Sequence, residues 1–281
     1  MANPIAKNGT HERRETYANE VLAMAKSKIN IYDDFSTDYE IDGATGQINV
    51  PTRSAEVTIS DYDILNGVEL TQSATDYIPL AIDQNYAINE LIDGYEAEAV
   101  PDNLRANRIE AAGYSMGLKK ENMAISKLIA KGTTSSDTDA LTEADAYKKI
   151  ASEIANMKKR NMEVSSMRVV VSADTELLLL TDDKFANTSG NLGAELVREG
   201  VIGKINGVAV KPNYLLPENV EFIVYDKRFA QKYEVWSVEP SINNLADGKH
   251  IGASALQGRQ VGGLDVTNAL GVQIKTNGTS L

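Results

Sequence analysis

The sequence predicts an α+β fold with mixed sheets, and three observations carry that expectation. An apolar pattern at helical spacing runs unbroken through residues 101–131. Short runs rich in β-branched residues, such as Arg168-Val-Val-Val-Ser172 and Val220-Glu-Phe-Ile-Val-Tyr225, recur through the C-terminal half among helical patterns. No βαβαβ succession is present, so a doubly wound parallel sheet is not expected.

Residues 10–29 read as a helix. Tyr17, Val21, Leu22, Met24 and Ala25 recur at spacings of one to four, and the flanks His11-Glu-Arg-Arg-Glu15 and Lys26-Ser-Lys28 suit it poorly to deep burial. Residues 30–46, with Asp33, Asp34, Asp38, Asp42, Gly43 and Gly46, read as extended arm and turn. Residues 47–93 read as a long β-hairpin. Its first arm is Gln47–Ser60, with Ile48 and Val50, then Val57 and Ile59, alternating with polar residues. Its returning arm is Thr75–Ile88, with Leu80, Ile82, Tyr86 and Ile88 on one face, and its tip spans about 61–74 around Asn66-Gly67. Pro51 and Pro79 cannot donate to a central ladder, so these are edge strands or strand ends. Such a hairpin is not stable alone in water and must lie on another surface, of which this chain offers few.

Pro101-Asp102 suits a helix start. Ile109, Ala112, Met116 and Met123, then Ile125, Leu128 and Ile129, give the helix an apolar side, and Lys131-Gly132 ends it. About thirty residues at 1.5 Å each make roughly 45 Å of helix, a structural spine. Gly113 and Gly117 suit close packing against a neighbouring backbone better than phosphate binding. After the polar linker 133–139, Thr142-Glu-Ala-Asp145 has the form of a capping box. The helix that follows buries Tyr147, Ile150, Ala151, Ile154 and Met157. Arg168–Ser172 is a buried strand, Ala173–Leu180 a helix, 182–191 a polar loop and Glu195–Gly200 the end of a short helix. Asn206-Gly207 is a strong two-residue hairpin turn. Val220–Tyr225, Lys232–Val238 and Leu264–Ile274 complete the strands.

Composition narrows the function classes. The 281 residues include no cysteine and two histidines, His11 and His250. Disulfides, thiolate metal sites and cysteine nucleophiles are thereby excluded, and a His-rich metal site nearly so. The net charge of −12 argues against a protein whose main task is gripping DNA or an anionic membrane. No apolar run approaches the length of a membrane span, and the first residues lack the form of a signal peptide, so synthesis in the cytoplasm is expected. The charge is uneven. Residues 1–28 hold five basic and three acidic side chains; residues 29–99 hold fifteen acidic and one basic, Arg53; residues 100–281 hold 22 of each. No lysine occurs between Lys28 and Lys119. An acidic stretch is either solvated surface or a surface that meets a basic partner.

The residues that could carry chemistry have simpler readings. His11 lies in a charged arm and His250 in a Gly/Asp-rich segment, neither a natural base for a triad. Asp33-Asp34 and Asp61-Tyr-Asp63 are carboxylate pairs without EF-hand spacing, and solvated acid is the expectation for both. Lys158-Lys-Arg160 closes a helix, where the dipole favours cations. Trp236 alternates with Val235 and Val238 as a core residue would. An enzyme is not expected, and no cofactor or metal is implied.

The order of parts is specific: a basic helical arm, a long acidic hairpin, a spine helix and a mixed α/β domain. With Val169-Val-Val-Ser-Ala-Asp174, Leu177, Lys184-Phe185 and Glu195–Val210, it resembles the tailed-phage major capsid proteins of the Hong Kong 97 type. In that family a strand and helix lead into a turn written roughly G-x-I-x-G-x-x-V; here it is Gly203-Lys-Ile-Asn-Gly207 followed by Val210. The strands Phe222–Asp226 and Tyr233–Val238 and the segment Gly262–Lys275 are similar too. The resemblance covers nearly the whole chain, through motifs that specify a fold and not an active site.

The resemblance implies an α+β, Hong Kong 97-type capsid fold. Its parts would be an N-terminal arm (1–45), an extended β-hairpin loop (46–82), a peripheral domain with the spine helix (83–138), a mixed-sheet axial domain (139–235) and the C-terminal strands of the peripheral domain (236–281). It implies a coat protein whose hexamers and pentamers build the icosahedral head of a tailed phage around double-stranded DNA, contacted non-specifically. Scaffolding, portal and possible cement proteins would be its partners, the virion its location, and no membrane would be involved. In the family the extended loop lies across the neighbouring subunit, and some members weld subunits through a lysine in that loop. The acidic segment then has a basic counterpart: region 101–131 carries six cations against three acids. Inter-subunit contact is expected at Arg13, Arg14, Arg53, Asp61, Asp63, Glu69, Asp76, Arg105, Arg108, Lys119 and Lys120. An encapsulin-like compartment shell shares the fold and would hold protein cargo, and a soluble α+β enzyme is the remaining alternative.

Overall fold

The computed structural model describes residues 30–36, 47–53, 59–68, 75–95, 104–182, 184–185, 201–245 and 249–278. The helices expected at 10–29 and 195–200 lie outside them. The elements are α1 (Ile31–Asp34), β1 (Gln47–Arg53), β2 (Thr75–Ala81), β3 (Gln84–Ile92), α2 (Leu104–Lys131), β4 (Thr133–Thr134), α3 (Ala146–Lys159), β5 (Met167–Val171), α4 (Ala173–Thr181), β6 (Gly203–Ile205), β7 (Val208–Pro212), β8 (Val220–Asp226), β9 (Ala230–Asn244), β10 (Ser254–Val266) and β11 (Val272–Thr276). They form a two-stranded sheet β1-β2, a three-stranded sheet β3-β10-β9 and a six-stranded mixed sheet β4-β11-β8-β5-β7-β6.

The six-stranded sheet is covered on both faces, which explains its unbroken apolar strands. Successive side chains point to opposite faces. Val169 and Val171 of β5, with Phe222 and Val224 of β8, pack under Ile150, Ile154 and Met157 of α3. Val170, Ile223 and Tyr225 face the other way, with Ala124, Ile125 and Leu128 of α2 and with Ile31 and Phe35. The turn Asn206-Gly207 joins β6 to β7 as expected, with φ of 52° and 87°, the left-handed pair that a two-residue hairpin demands.

The spine helix α2 spans both sheets. Its C-terminal half lies in the core of the six-stranded sheet, while Ala112 packs with Ile92 and Leu256 of the three-stranded one. It ends where the sequence predicts, and a Cβ at Gly132 would come within 2.7 Å of both Ile274 Cδ1 and Leu128 O. Gly113 departs from expectation: among the described residues nothing lies within 4 Å of a Cβ built there, so this chain supplies no backbone for it to pack against.

Four further expectations are corrected. The extended arm read at 30–46 is, over Ile31–Asp34, a helical turn, because Ile31 and Phe35 lie four apart and both enter the core. The hairpin is shorter than 47–93. β1 pairs antiparallel with β2 from Gln47↔Ala81 to Arg53↔Thr75, after which β3 leaves to pair with β10. Tyr233 donates its hydroxyl to the Ala81 carbonyl and anchors the hairpin's root. The single strand read at Leu264–Ile274 is two, in different sheets, because Asn268 accepts the Leu270 amide at 2.9 Å and turns the chain between them. Finally, β10 begins at Ser254, and β9 runs past Val238 through Pro240, opposite a bulge at Gly258 where a side chain would strike the proline.

Candidate functional site

The expected contact residues fall into three groups. Arg13, Arg14 and Glu69 lie outside the described residues. Arg53 stands on β1 opposite Thr75, Asp76 on β2 opposite Thr52, and Arg105 in the first turn of α2; their side chains lie outside the description. Asp61, Asp63, Arg108, Lys119 and Lys120 are placed in full.

Asp61 and Asp63 stand at the hairpin tip, and their roles differ. Asp63 closes the turn. Its Oδ1 accepts the Leu65 amide at 2.9 Å, its Oδ2 accepts from Asn66 Nδ2 at 2.7 Å, and its carbonyl accepts the Gly67 amide at 2.8 Å. The Leu65 amide, then Asn66, hold its carboxyl below the usual range. Gly67 has φ +72°, the left-handed conformation that such a turn needs. Around this acid the tip is apolar and in water: Ile59, Ile64 and Leu65 are 95%, 89% and 91% exposed, and Tyr62 stands beside them. Bulky apolar side chains grouped on a projecting turn mark a contact surface.

The cations of α2 meet acids of their own chain. Arg108 binds both carboxylate oxygens of Glu90, at 2.5 and 2.6 Å. Lys127 reaches Asp83 at 3.0 Å, and Lys120 lies 3.9 Å from Glu234. Part of the acidic segment's charge is therefore answered by the spine helix within one subunit. Lys119 sits 5.4 Å from the centre of the Tyr86 ring. Between α2 and β3 lies a cavity of about 300 Å³, lined among others by Tyr86, Ile88, Met116, Lys119, Lys120 and Gln260. Tyr86 donates to Met123 Sδ at 2.8 Å, and burial raises its phenol above the ordinary value.

A buried polar joint was not foreseen, and it corrects the reading of Asp33-Asp34 as solvated acid. Asp33 is exposed, but Asp34 binds Lys211 Nζ at 3.1 and 3.2 Å and accepts the Tyr225 hydroxyl at 3.1 Å. Burial, then the Asp34 charge, push the Tyr225 phenol well above its usual range. Glu121, counted among the spine's surface charges, is fully buried. Its Oε1 accepts the amides of Asn30 at 3.1 Å and Ile31 at 2.9 Å and the side-chain amide of Asn213; its Oε2 accepts the Tyr32 amide at 2.8 Å. A carboxylate thus caps α1 from another element. One signal could have found it: Glu121 lies three, four and seven residues before Ala124, Ile125 and Leu128, on the apolar stripe of α2.

Among the described residues, no group of three or more His, Asp or Glu side chains could hold a metal ion, and no helix is long and apolar enough to cross a membrane.

No family model and no curated protein matches the chain. Solved structures do. A chain of Mycobacterium phage Che8 gives a TM-score of 0.77 at 20% identity, covering 96% of this chain and 99% of that one. The capsid structure of the cyanophage P-SCSP1u gives 0.76 at 12% identity, covering 93% and 92%. The asymmetric unit of the bacteriophage PhiM1 mature capsid gives 0.70 at 16% identity, covering 94% and 92%. At these identities the likeness is one of fold: the chain has the α+β, Hong Kong 97-type fold that its order of parts implies.

Proposed function

We propose that this chain is a major capsid protein, a structural subunit that self-assembles into the icosahedral head of a tailed phage and encloses its double-stranded DNA. One observation carries the reading: the fold is shared over more than nine-tenths of both chains with the phage capsid structures named above. The projecting hairpin supports it, since the apolar side chains at its tip find no cover in one subunit.

In this reading residues 1–45 form an arm, 46–82 the extended loop, 83–138 with 236–281 the peripheral domain, and 139–235 the axial domain. Hexamers and pentamers of this chain would make the shell, with scaffolding, portal and cement proteins as further partners and the virion as its place. Exposed charge pairs contribute only about 0–1 kcal/mol each. Charges such as Asp61, Lys119 and the more distant Arg13 and Arg14 would therefore set orientation and rate, while apolar contact holds the shell.

The test is electron microscopy of the expressed chain. Closed shells are expected, and deletion of residues 52–74 should leave a folded but unassembled protein. A chain that stays monomeric at high concentration would remove the reading. Normal shells from the deleted chain would remove the role given to the hairpin.

A further inference from the structure

Two surfaces of this chain lack a partner among the described residues, and they complement each other. The first is the hairpin tip, where Ile59, Tyr62, Ile64 and Leu65 surround Asp61 and the turn-closing Asp63, with no basic residue between 54 and 82. The second is the cavity between α2 and β3, apolar at Tyr86, Ile88 and Met116 and basic at its rim through Lys119 and Lys120. It has room for a large apolar side chain, and its few polar groups suit such a guest better than a polar ligand.

Gly113 adds an independent observation. It lies on the exposed side of α2, one turn before Met116, and nothing within the described residues approaches the place of its missing Cβ. A glycine inside a helix costs about 1 kcal/mol relative to alanine. Within one subunit nothing offsets that cost; a second chain lying close against the bare backbone beside the cavity would.

We infer that the hairpin tip of one copy docks in the α2–β3 cavity of a second copy, with Ile64 and Leu65 entering between Tyr86 and Met116, Asp61 facing Lys119, and the descending strand passing over Gly113. The tip does not fill the cavity of its own chain, because Ile64 and Leu65 are about nine-tenths exposed there. The opposite charges on tip and rim argue for a second copy as occupant over an unrelated apolar partner. This inference rests on the shell reading and adds the receiving surface to it.

The chain has no cysteine, which makes a cross-linking test clean. Leu65→Cys is combined in one chain with Ser115→Cys, or with Asn85→Cys on the opposite wall, and the purified particles are oxidised. Disulfide-linked dimers and longer multimers are expected on a non-reducing gel from at least one double variant and from neither single variant. Particles of normal yield with no linkage from either double variant would overturn the docking and leave the shell reading standing. Wild-type chain that forms no particles would overturn both.

If the cysteine variants do not assemble, a charge exchange decides the matter. Asp61→Lys and Lys119→Glu should each slow particle formation about tenfold, and the two together should restore it. A double variant as slow as the worse single one would overturn the docking.

Discussion

Lys211 Nζ lies 3.1 Å from Asp34 Oδ2, and only 8% and 10% of the two side chains reach water. The pair joins the entry segment of the chain to β7, 177 residues away. Removing one partner of such a pair strands the other as a buried charge, at a cost of about 3–5 kcal/mol. Asp34→Ala should therefore lower the urea midpoint sharply. Asp34→Ala with Lys211→Met should recover part of the loss, because no charge is then left behind. Equal destabilisation by the single and double variants would show that the charges do not act as a pair.

Glu121 gives a second, separable prediction. Its carboxylate takes the amides of residues 30, 31 and 32 together with Asn213. Glutamine keeps the shape but presents an NH₂ group to donors, so Glu121→Gln should cost about 1–3 kcal/mol. The amides of Ile31 and Tyr32 should become faster to exchange with solvent, while those of β5 and β8 keep the protection of the remaining core. Unchanged exchange at Ile31 and Tyr32 would mean that Glu121 does not hold this turn.

Asp137 supplies the pH dependence. The Asp139 amide, then Lys149 and Lys275, hold its carboxyl at about 2, below the ordinary 3.8. A folded value below the unfolded one gives stability that is complete above about 3.8 and lost as pH falls through about 2. The Asp137 side chain is 41% exposed, so solvent screening keeps the effect below about 1 kcal/mol. In acid titrations of stability, Asp137→Asn should show a shallower decline than the wild type across this window. Parallel curves would remove Asp137 from the acid response.

Two glycines of one helix region should respond oppositely to the same change. Gly113→Ala adds a methyl group in open space and should raise the stability of the subunit by about 0.5–1 kcal/mol. Gly132→Ala drives its methyl group against Ile274, Val272 and the Leu128 carbonyl, and should destabilise. Thermal unfolding of the two variants checks both signs.

What was legible in the sequence follows from how local each signal is. The α3 stripe, the Asn206-Gly207 turn, the β5 run and the stop at Gly132 rest on neighbours a few residues apart, and each stands in the structure. β10 was missed because Gly258, Gly262 and Gly263 weaken its strand pattern. Two of those glycines answer to β9: a Cβ at Gly262 would meet the Tyr233 carbonyl, and one at Gly263 the Tyr233 ring. The break between β10 and β11 was signalled only by Thr267-Asn268 inside an apolar run. The joint at Asp34 and Glu121 was hidden for a different reason. An acid reads as solvated until its partners are known, and theirs lie between about 90 and 190 residues away. The tip acids were legible by position, but the use of Asp63 to close its own turn was not.

The final prediction concerns what holds the proposed shell. Some Hong Kong 97-type subunits are joined by a lysine–asparagine isopeptide bond that starts from a lysine in the extended loop. That bond needs an amine nucleophile. Residues 46–82 contain no lysine, and the nearest on either side are Lys28 and Lys119. Arg53, the one cation of the loop, cannot replace it, because a guanidinium stays protonated in proteins. A covalent ring cannot form by that route, so non-covalent contact must hold the particle, through the apolar tip and any cement protein. Purified particles boiled in detergent should run as a single band near 30.5 kDa. A ladder of multimers that survives boiling and reduction would show that these subunits are joined covalently after all.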